Sequence, residues 1–198
     1  MNLFPPVILA SKSPRRQELL KLMDVNFRIA LKEVDESFPE GLSPEEIAVY
    51  IAEKKARAFD GYILEDEIVL TADTIVSVGN RILGKPRDEN EAYEMLSLLS
   101  GRKHEVITGV ALLDKARFHS FYDLTEVFFR TLTEDEIWYY IKINRPFDKA
   151  GAYGIQEWIG LTGIEKIEGS YTNVVGLPTQ KLFKELVSFS SAREKNRT

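Results

Sequence analysis

Strands alternating with helices in the first half of the chain, a pair of long strand-like segments in its middle, and the absence of any repeat predict an α/β fold. Its core would be a mixed twisted sheet flanked by helices. The 198 residues suit one domain, with room for two lobes and a central cleft as the natural place for a site. A hydrophobic share of 44% is enough to build an ordinary globular core, so disorder is expected only at the polar end.

The elements follow in order. Val7 to Ala10 reads as a short buried strand, and Pro14 suits the first turn of a helix, where its missing N–H costs nothing. That helix runs on through Gln17 to Met23, and Phe27 to Ala30 forms a second strand. Ser43-Pro44-Glu45-Glu46 carries a capping-box pattern and starts a helix to about Phe59. Ile68 to Thr71 and Ile75 to Val78 are β-branched segments on either side of Ala72-Asp73-Thr74, and Gly79-Asn80 is a hairpin-type turn into Ile82 and Leu83. Asp88 caps a helix from Glu89 to Leu99. Val106 to Leu113 and Ser120 to Thr131 are the longest strand candidates and are expected to pair. Thr133-Glu134-Asp135-Glu136 is a second capping box, opening a helix to about Ile143. The span Gly151 to Gly176 is glycine-rich and reads as tight turns, Pro178 starts a last helix through Val187, and residues 190–198 form a polar tail expected to be disordered.

Several classes of function lose support early. A net charge of -5 leaves no broad electrostatic footprint for a nucleic-acid backbone, so any anion must be met by a local basic site. Cysteine is absent, which removes disulfides, thiol catalysis and thiolate metal sites and suits a reducing compartment. Two histidines cannot build a poly-histidine zinc centre within one chain, so oxygen ligands remain for any metal. No apolar run approaches the ~20 residues of a membrane helix, and no signal peptide is evident, so the expected location is the cytoplasm. Neither a P-loop nor a dinucleotide-binding glycine fingerprint is present.

The chemistry gathers at strand ends and breaks. Ser11-Lys12-Ser13-Pro14-Arg15-Arg16 places two hydroxyls and two guanidiniums at a helix N-terminus, where unpaired N–H groups favour an anion and planar forks can grip phosphate. The same stretch reads equally well as an ordinary helix start with a solvated basic face. Glu33, in Lys32-Glu33-Val34-Asp35-Glu36, and Lys85, before Pro86, each have a bland reading as surface residues, and Lys55 lies on a helix. Asp73 differs, because a carboxylate inside Val69-Leu70-Thr71-Ala72-Asp73-Thr74-Ile75-Val76 would lose hydration without return unless paired, hydrogen-bonded or coordinated. His104 reads as a structural hydrogen-bonding residue, and Tyr153 and Trp158 read either as packing residues or as a platform for a base.

These residues, taken together, resemble the Maf family of nucleoside triphosphate pyrophosphatases. The resemblance rests on Ser11 to Arg16, Glu33, Lys55-Ala56, Ala72-Asp73-Thr74, Gly84-Lys85-Pro86, Ser100-Gly101, Thr108-Gly109 and Asp148-Lys149-Ala150-Gly151-Ala152-Tyr153-Gly154-Ile155-Gln156. It covers about Val7 to Phe189, so residues 1–189 would be one domain of this type, similar in fold to inosine triphosphate pyrophosphatases. It implies a homodimer that uses magnesium or manganese to cleave a nucleoside triphosphate between the α and β phosphates. The form of the segment at Asp148 to Gln156 goes with the branch acting on dTTP and UTP.

Carried over residue by residue, the resemblance makes Asp73 the proton acceptor and associates Arg15, Thr74 and Gln156 with substrate selection. Asp73 and Glu33 would hold the cation through hard oxygens, Arg16, Lys55 and Lys85 would face the phosphate chain, and Ser11 and Ser13 would add hydrogen bonds. Two departures from the family pattern stand out: Thr71 where glycine commonly precedes Ala-Asp-Thr, and Glu157-Trp158 where glycine usually follows the glutamine. The first would crowd the strand or narrow the site, and the second would add charge and bulk beside the base pocket. A nucleotide sensor without turnover and a pyrophosphatase for damaged purine nucleotides are the rival readings.

Overall fold

The computed structural model describes residues 4–64, 66–79 and 81–195, and it is a mixed α/β structure. Seven strands form one sheet, in the order β2 (Phe27–Ile29), β1 (Val7–Leu9), β3 (Ile68–Val78), β5 (Lys103–Leu113), β6 (Phe118–Phe129), β7 (Ile164–Glu168), with β4 (Arg81–Leu83) paired to β3. β1 runs parallel to both β2 and β3, whereas β4 is antiparallel to β3 and β7 to β6. The helices are α1 (Pro14–Leu22), α2 (Pro44–Arg57), α3 (Glu89–Leu99), α4 (Glu134–Asn144), α5 (Trp158–Gly163), α6 (Tyr171–Val175) and α7 (Thr179–Lys195), with one 3-10 turn at Ala150–Ala152.

The chain divides into two compact units. The first comprises residues 1–73, 108–123 and 176–198, and the second residues 74–107 and 124–175. In the first unit β1 has parallel neighbours on both edges, and Val7, Ile8 and Leu9 are all buried, as a strand covered on both faces requires. Ile8, Val69 and Ala111 pack with Ala52, Ala56 and Phe59 of the α2 region in one apolar cluster. Helix and sheet come unusually close at Gly109, where a Cβ would lie 2.3 Å from the Ala48 carbonyl carbon and oxygen. Only glycine permits that backbone-on-backbone contact. Both predicted capping boxes form, Ser43 with Glu46 on α2 and, in the second unit, Thr133 with Glu136 on α4.

In the second unit α3 packs against α4 and the 3-10 turn, with Tyr93 and Trp138 stacked at 4.8 Å. His104, Phe129 and Tyr153 form a cluster of edge-on rings.

The segments on either side of Ala72-Asp73-Thr74 join into one continuous strand, β3, with Asp73 inside apolar strand sequence as expected. Two differences from the sequence reading have physical reasons. The glycine-rich span is not only turns: it holds α5, β7 and α6, and β7 pairs with β6 through residues such as Ile167 opposite Val127. The final helix does not end near Val187 but continues to Lys195, so residues 190–195 are helical rather than a disordered tail. Ala192, Arg193, Glu194 and Lys195 are good helix formers that extend an existing helix at little cost. Asn80 of the expected hairpin turn and residues 196–198 lie outside the described residues.

Candidate active site

The loop from β1 to α1 supplies the first part of the site in the first unit. Ser13 is the N-cap of α1, Pro14 sits at its start, and the Ser13 hydroxyl accepts from the Arg16 N–H at 3.5 Å. The buried Ser11 hydroxyl accepts from the Ser13 N–H at 3.2 Å and from Arg16 Nη1 at 3.3 Å. Arg16 spends its fork largely on the protein. Its Nε donates to the Gly176 carbonyl and its Nη1 to the Ala72 carbonyl, both at 2.8 Å. The guanidinium therefore fastens the Ser11 loop, the strand immediately before Asp73 and the segment leading to α7. Burial lowers its pKa, opposed by the charges of Asp73 and Glu36, while Arg15 adds to the lowering. Arg15, Arg16, Asp73 and Glu36 thus share one electrostatic neighbourhood.

Asp73 is joined to α2. Lys55 Nζ donates to Asp73 Oδ1 at 2.7 Å and pairs with Glu36 Oε1 at 2.8 Å, so the ammonium bridges two carboxylates. The Lys55 and Asp73 side chains are only 18% and 17% exposed, so the pair is largely shielded from water, and its geometry is set by the fold. Thr71, two residues earlier and hence on the same face of β3, is fully buried and donates to the Ala52 carbonyl at 2.6 Å. Ala52 and Lys55 lie three apart on α2, so Thr71 and Asp73 form two rungs that fix the register of helix against strand. The hydroxyl expected to crowd the strand instead ties down the helix that presents Lys55.

Glu36, not singled out from the sequence, is the carboxylate that reaches Lys55. Glu33 is exposed and takes no part in this chain of ion pairs. Among the described residues no group of three or more histidines, aspartates or glutamates is gathered closely enough to hold a metal alone. The donor set still fits a hard divalent cation, because magnesium keeps several waters and is commonly bound by one or two carboxylates together with substrate phosphates. Asp73 and its neighbours offer carboxylate oxygen and no soft ligand, as that mode requires.

The other predicted residues belong to the second unit, which begins at Thr74. Lys85 is exposed in the segment after β4. The adjoining Gly84 carbonyl accepts from the Gly151 N–H at 3.0 Å, which brings Gly84-Lys85-Pro86 alongside the Asp148 to Gln156 segment. Gly151 and Ala152 both adopt positive φ, +68° and +59°, and a Cβ on Gly151 would lie 3.0 Å from Val76 Cγ1 and Cγ2. Gly151 takes this conformation freely, whereas at Ala152 it carries strain that the surrounding contacts hold. Tyr153 is buried, with its hydroxyl 2.8 Å from His104 Nε2, so it packs the loop from beneath instead of offering a platform for a base. Burial raises the Tyr153 phenol pKa and lowers that of His104 to about 4. Ile155 is buried, Gln156 is exposed, and Trp158 meets Tyr139 edge-on at 5.1 Å.

Glu157, expected to add charge to the rim, turns inward. Its Oε1 pairs with Lys149 Nζ at 3.0 Å, and its Oε2 accepts from the Tyr140 hydroxyl. The signal for this was present in Asp148-Lys149, since a lysine fixed beside an acidic partner eight residues later can close a loop, but spacing alone does not identify the pair.

The profile of the Maf family, described as Maf-like protein, matches residues 6–189, a range that takes in parts of both units. Among curated proteins, a dTTP/UTP pyrophosphatase of Flavobacterium psychrophilum is 51% identical over 92% of this chain and 93% of its own. One of Flavobacterium johnsoniae is 48% identical over 92% of this chain and 94% of its own. Another, of Bacteroides fragilis, is 50% identical over 91% of this chain and 94% of its own. Identity at this level, spread over nearly the whole length of both partners, leaves one conclusion: the chain belongs to the Maf family.

Proposed function

We propose that this protein is a nucleotide pyrophosphatase that hydrolyses dTTP and UTP between the α and β phosphates, taking up one water and releasing the nucleoside monophosphate and pyrophosphate. The observation that carries the reading is the Asp73–Lys55–Glu36 chain set beside Arg16 and the Ser11–Ser13 loop: a shielded, oriented carboxylate within a cationic neighbourhood. The names of the similar proteins support the choice of substrate.

In this reading Asp73 accepts a proton from the attacking water, and Lys55 keeps the carboxylate in one orientation through the bond to Oδ1. Fixed cations lower the barrier because charge builds on the phosphate oxygens and the departing pyrophosphate. Arg15, Lys55 and Lys85 supply those cations, while Arg16 acts mainly by holding the Ser11 loop and the Ala72–Asp73 backbone. Ser11 and Ser13 shape the loop that meets the phosphates. Magnesium or manganese, held by Asp73 and Glu33 with the substrate phosphates, would neutralise charge on the triphosphate. Thr74 and Gln156 serve substrate selection, the Gln156 amide offering one donor and one acceptor to the imide edge of uracil or thymine. The reading extends to a cytoplasmic homodimer. Among the described residues no helix is long and apolar enough to cross a membrane.

The test is incubation with a panel of nucleoside triphosphates and magnesium or manganese, resolving pyrophosphate from orthophosphate. Pyrophosphate and monophosphate from dTTP and UTP are expected. Orthophosphate as the first product, preference for purines, or binding without turnover would each overturn it.

A further inference from the structure

Gly154, Ile155, Gln156 and Glu157 form a tight turn closed by the Glu157 N–H donating to the Gly154 carbonyl at 3.0 Å. Ile155 is buried and anchors the turn, while Gln156, at its third position, is carried outward. A second closure lies on top of the first. The hydroxyl of Tyr140, a fully buried residue of α4, accepts from the Gly154 N–H at 3.0 Å and donates to Glu157 Oε2. The other carboxylate oxygen, Oε1, pairs with Lys149 at the start of the same segment, and that lysine side chain is only 9% exposed. Each end of the turn is therefore fixed to the same buried phenol, and the carboxylate ties the turn to the head of the segment that contains it.

Glu157 also fits against its turn sterically: a Cβ at position 154 would lie 2.8 Å from Glu157 Cδ, so glycine there leaves the space the carboxylate occupies. Burial and Glu157 together raise the Tyr140 pKa, which keeps the phenol protonated as the donor. Glu157 is the N-cap residue of α5 by backbone position, yet its side chain makes no capping bond and reaches back to Tyr140 and Lys149 instead.

We propose that Glu157 is a positioning residue for substrate selection, holding Gln156 in one presentation through the Tyr140–Glu157–Lys149 lock. This rests on the reading of Gln156 as the base-selecting residue. Preorganising such a side chain improves binding by removing the need to order the turn when substrate arrives.

The experiment compares the intact protein with Glu157→Gly, Glu157→Gln and Tyr140→Phe, measuring amide hydrogen exchange at Gly154 and Glu157 without nucleotide and steady-state kinetics on UTP. In Glu157→Gly, exchange at both amides should speed up and KM should rise roughly tenfold, by much more than kcat falls. Glu157→Gln retains an acceptor for Tyr140 and should recover most of the KM. Unchanged exchange and KM in Glu157→Gly would overturn the proposal. So would a loss confined to kcat, or a Gln variant no better than the Gly variant. If the intact protein turns over no UTP, the functional reading fails, and the exchange data alone still decide whether the lock exists.

Discussion

Arg16→Ala separates a structural clamp from a phosphate grip. The side chain donates to two backbone carbonyls, at Gly176 and Ala72, and to the Ser11 hydroxyl. A hydrogen bond from a charged donor contributes about 1.5–3 kcal/mol net, and an acceptor left buried without a partner adds a penalty. Against this stands the cost of keeping the guanidinium out of water, visible in its lowered pKa. Two strong bonds less that cost give a loss of roughly 3 kcal/mol for Arg16→Ala. Arg16→Lys should lose about half as much, because an ammonium cannot serve both carbonyls in the same plane. Urea unfolding without nucleotide measures this directly, as a shift in midpoint at constant slope. A free protein stable to within about 0.5 kcal/mol of wild type, combined with a large fall in nucleotide affinity, would refute the clamp and return Arg16 to the phosphates.

Three further outcomes follow from the same geometry. Gly109→Ala should lose more than about 3 kcal/mol or fail to yield folded protein, because its Cβ would meet the Ala48 backbone and not a movable side chain; wild-type stability in urea would contradict the close approach. Thr71→Val keeps the shape and removes the bond to the Ala52 carbonyl, so it should cost about 1 kcal/mol in urea unfolding and lower kcat by disturbing Lys55; an unchanged variant would show that Thr71 does not set this register. His104 is buried with a pKa near 4, below its unfolded value of about 6.5. The unfolded chain therefore binds the proton first, so the stability tied to neutral His104 is fully present above pH 6.5 and is lost as pH falls towards 4, by roughly 3 kcal/mol in all. The stability difference between wild type and His104→Phe should change over that window, and a flat difference would contradict the assignment.

The local rules of sequence carried furthest where one residue settles its own surroundings. Ser43 and Thr133 each announce a helix start by a side chain three residues from its partner, and both boxes form. Asp73 was legible because a carboxylate in an apolar strand demands a partner, and Lys55 is that partner. What depends on long-range geometry was not legible. Nothing in Lys32-Glu33-Val34-Asp35-Glu36 tells which carboxylate an irregular segment will aim at Lys55, and the structure selects Glu36. Arg16 also holds the backbone carbonyls of Ala72 and Gly176, acceptors that no residue type advertises in the sequence. β7 is hard to see in sequence because three of its five residues, Glu165, Lys166 and Glu168, are charged and exposed, and its strand character comes from pairing with β6. Sequence alone makes Glu157 a rim charge, because its partners, Lys149 and Tyr140, come from a loop and a helix that meet only in the folded chain.

Asp73→Asn tests the centre of the account most directly, with nucleotide binding and pyrophosphate release measured on the same preparation. The amide keeps an oxygen for Lys55, and Lys55 keeps Glu36, so the fold and UTP binding should survive, while turnover should fall by about 10²–10⁴-fold as expected for loss of a general base. A variant that binds UTP and still releases pyrophosphate at a near-normal rate would contradict Asp73 as the group that takes the proton from water.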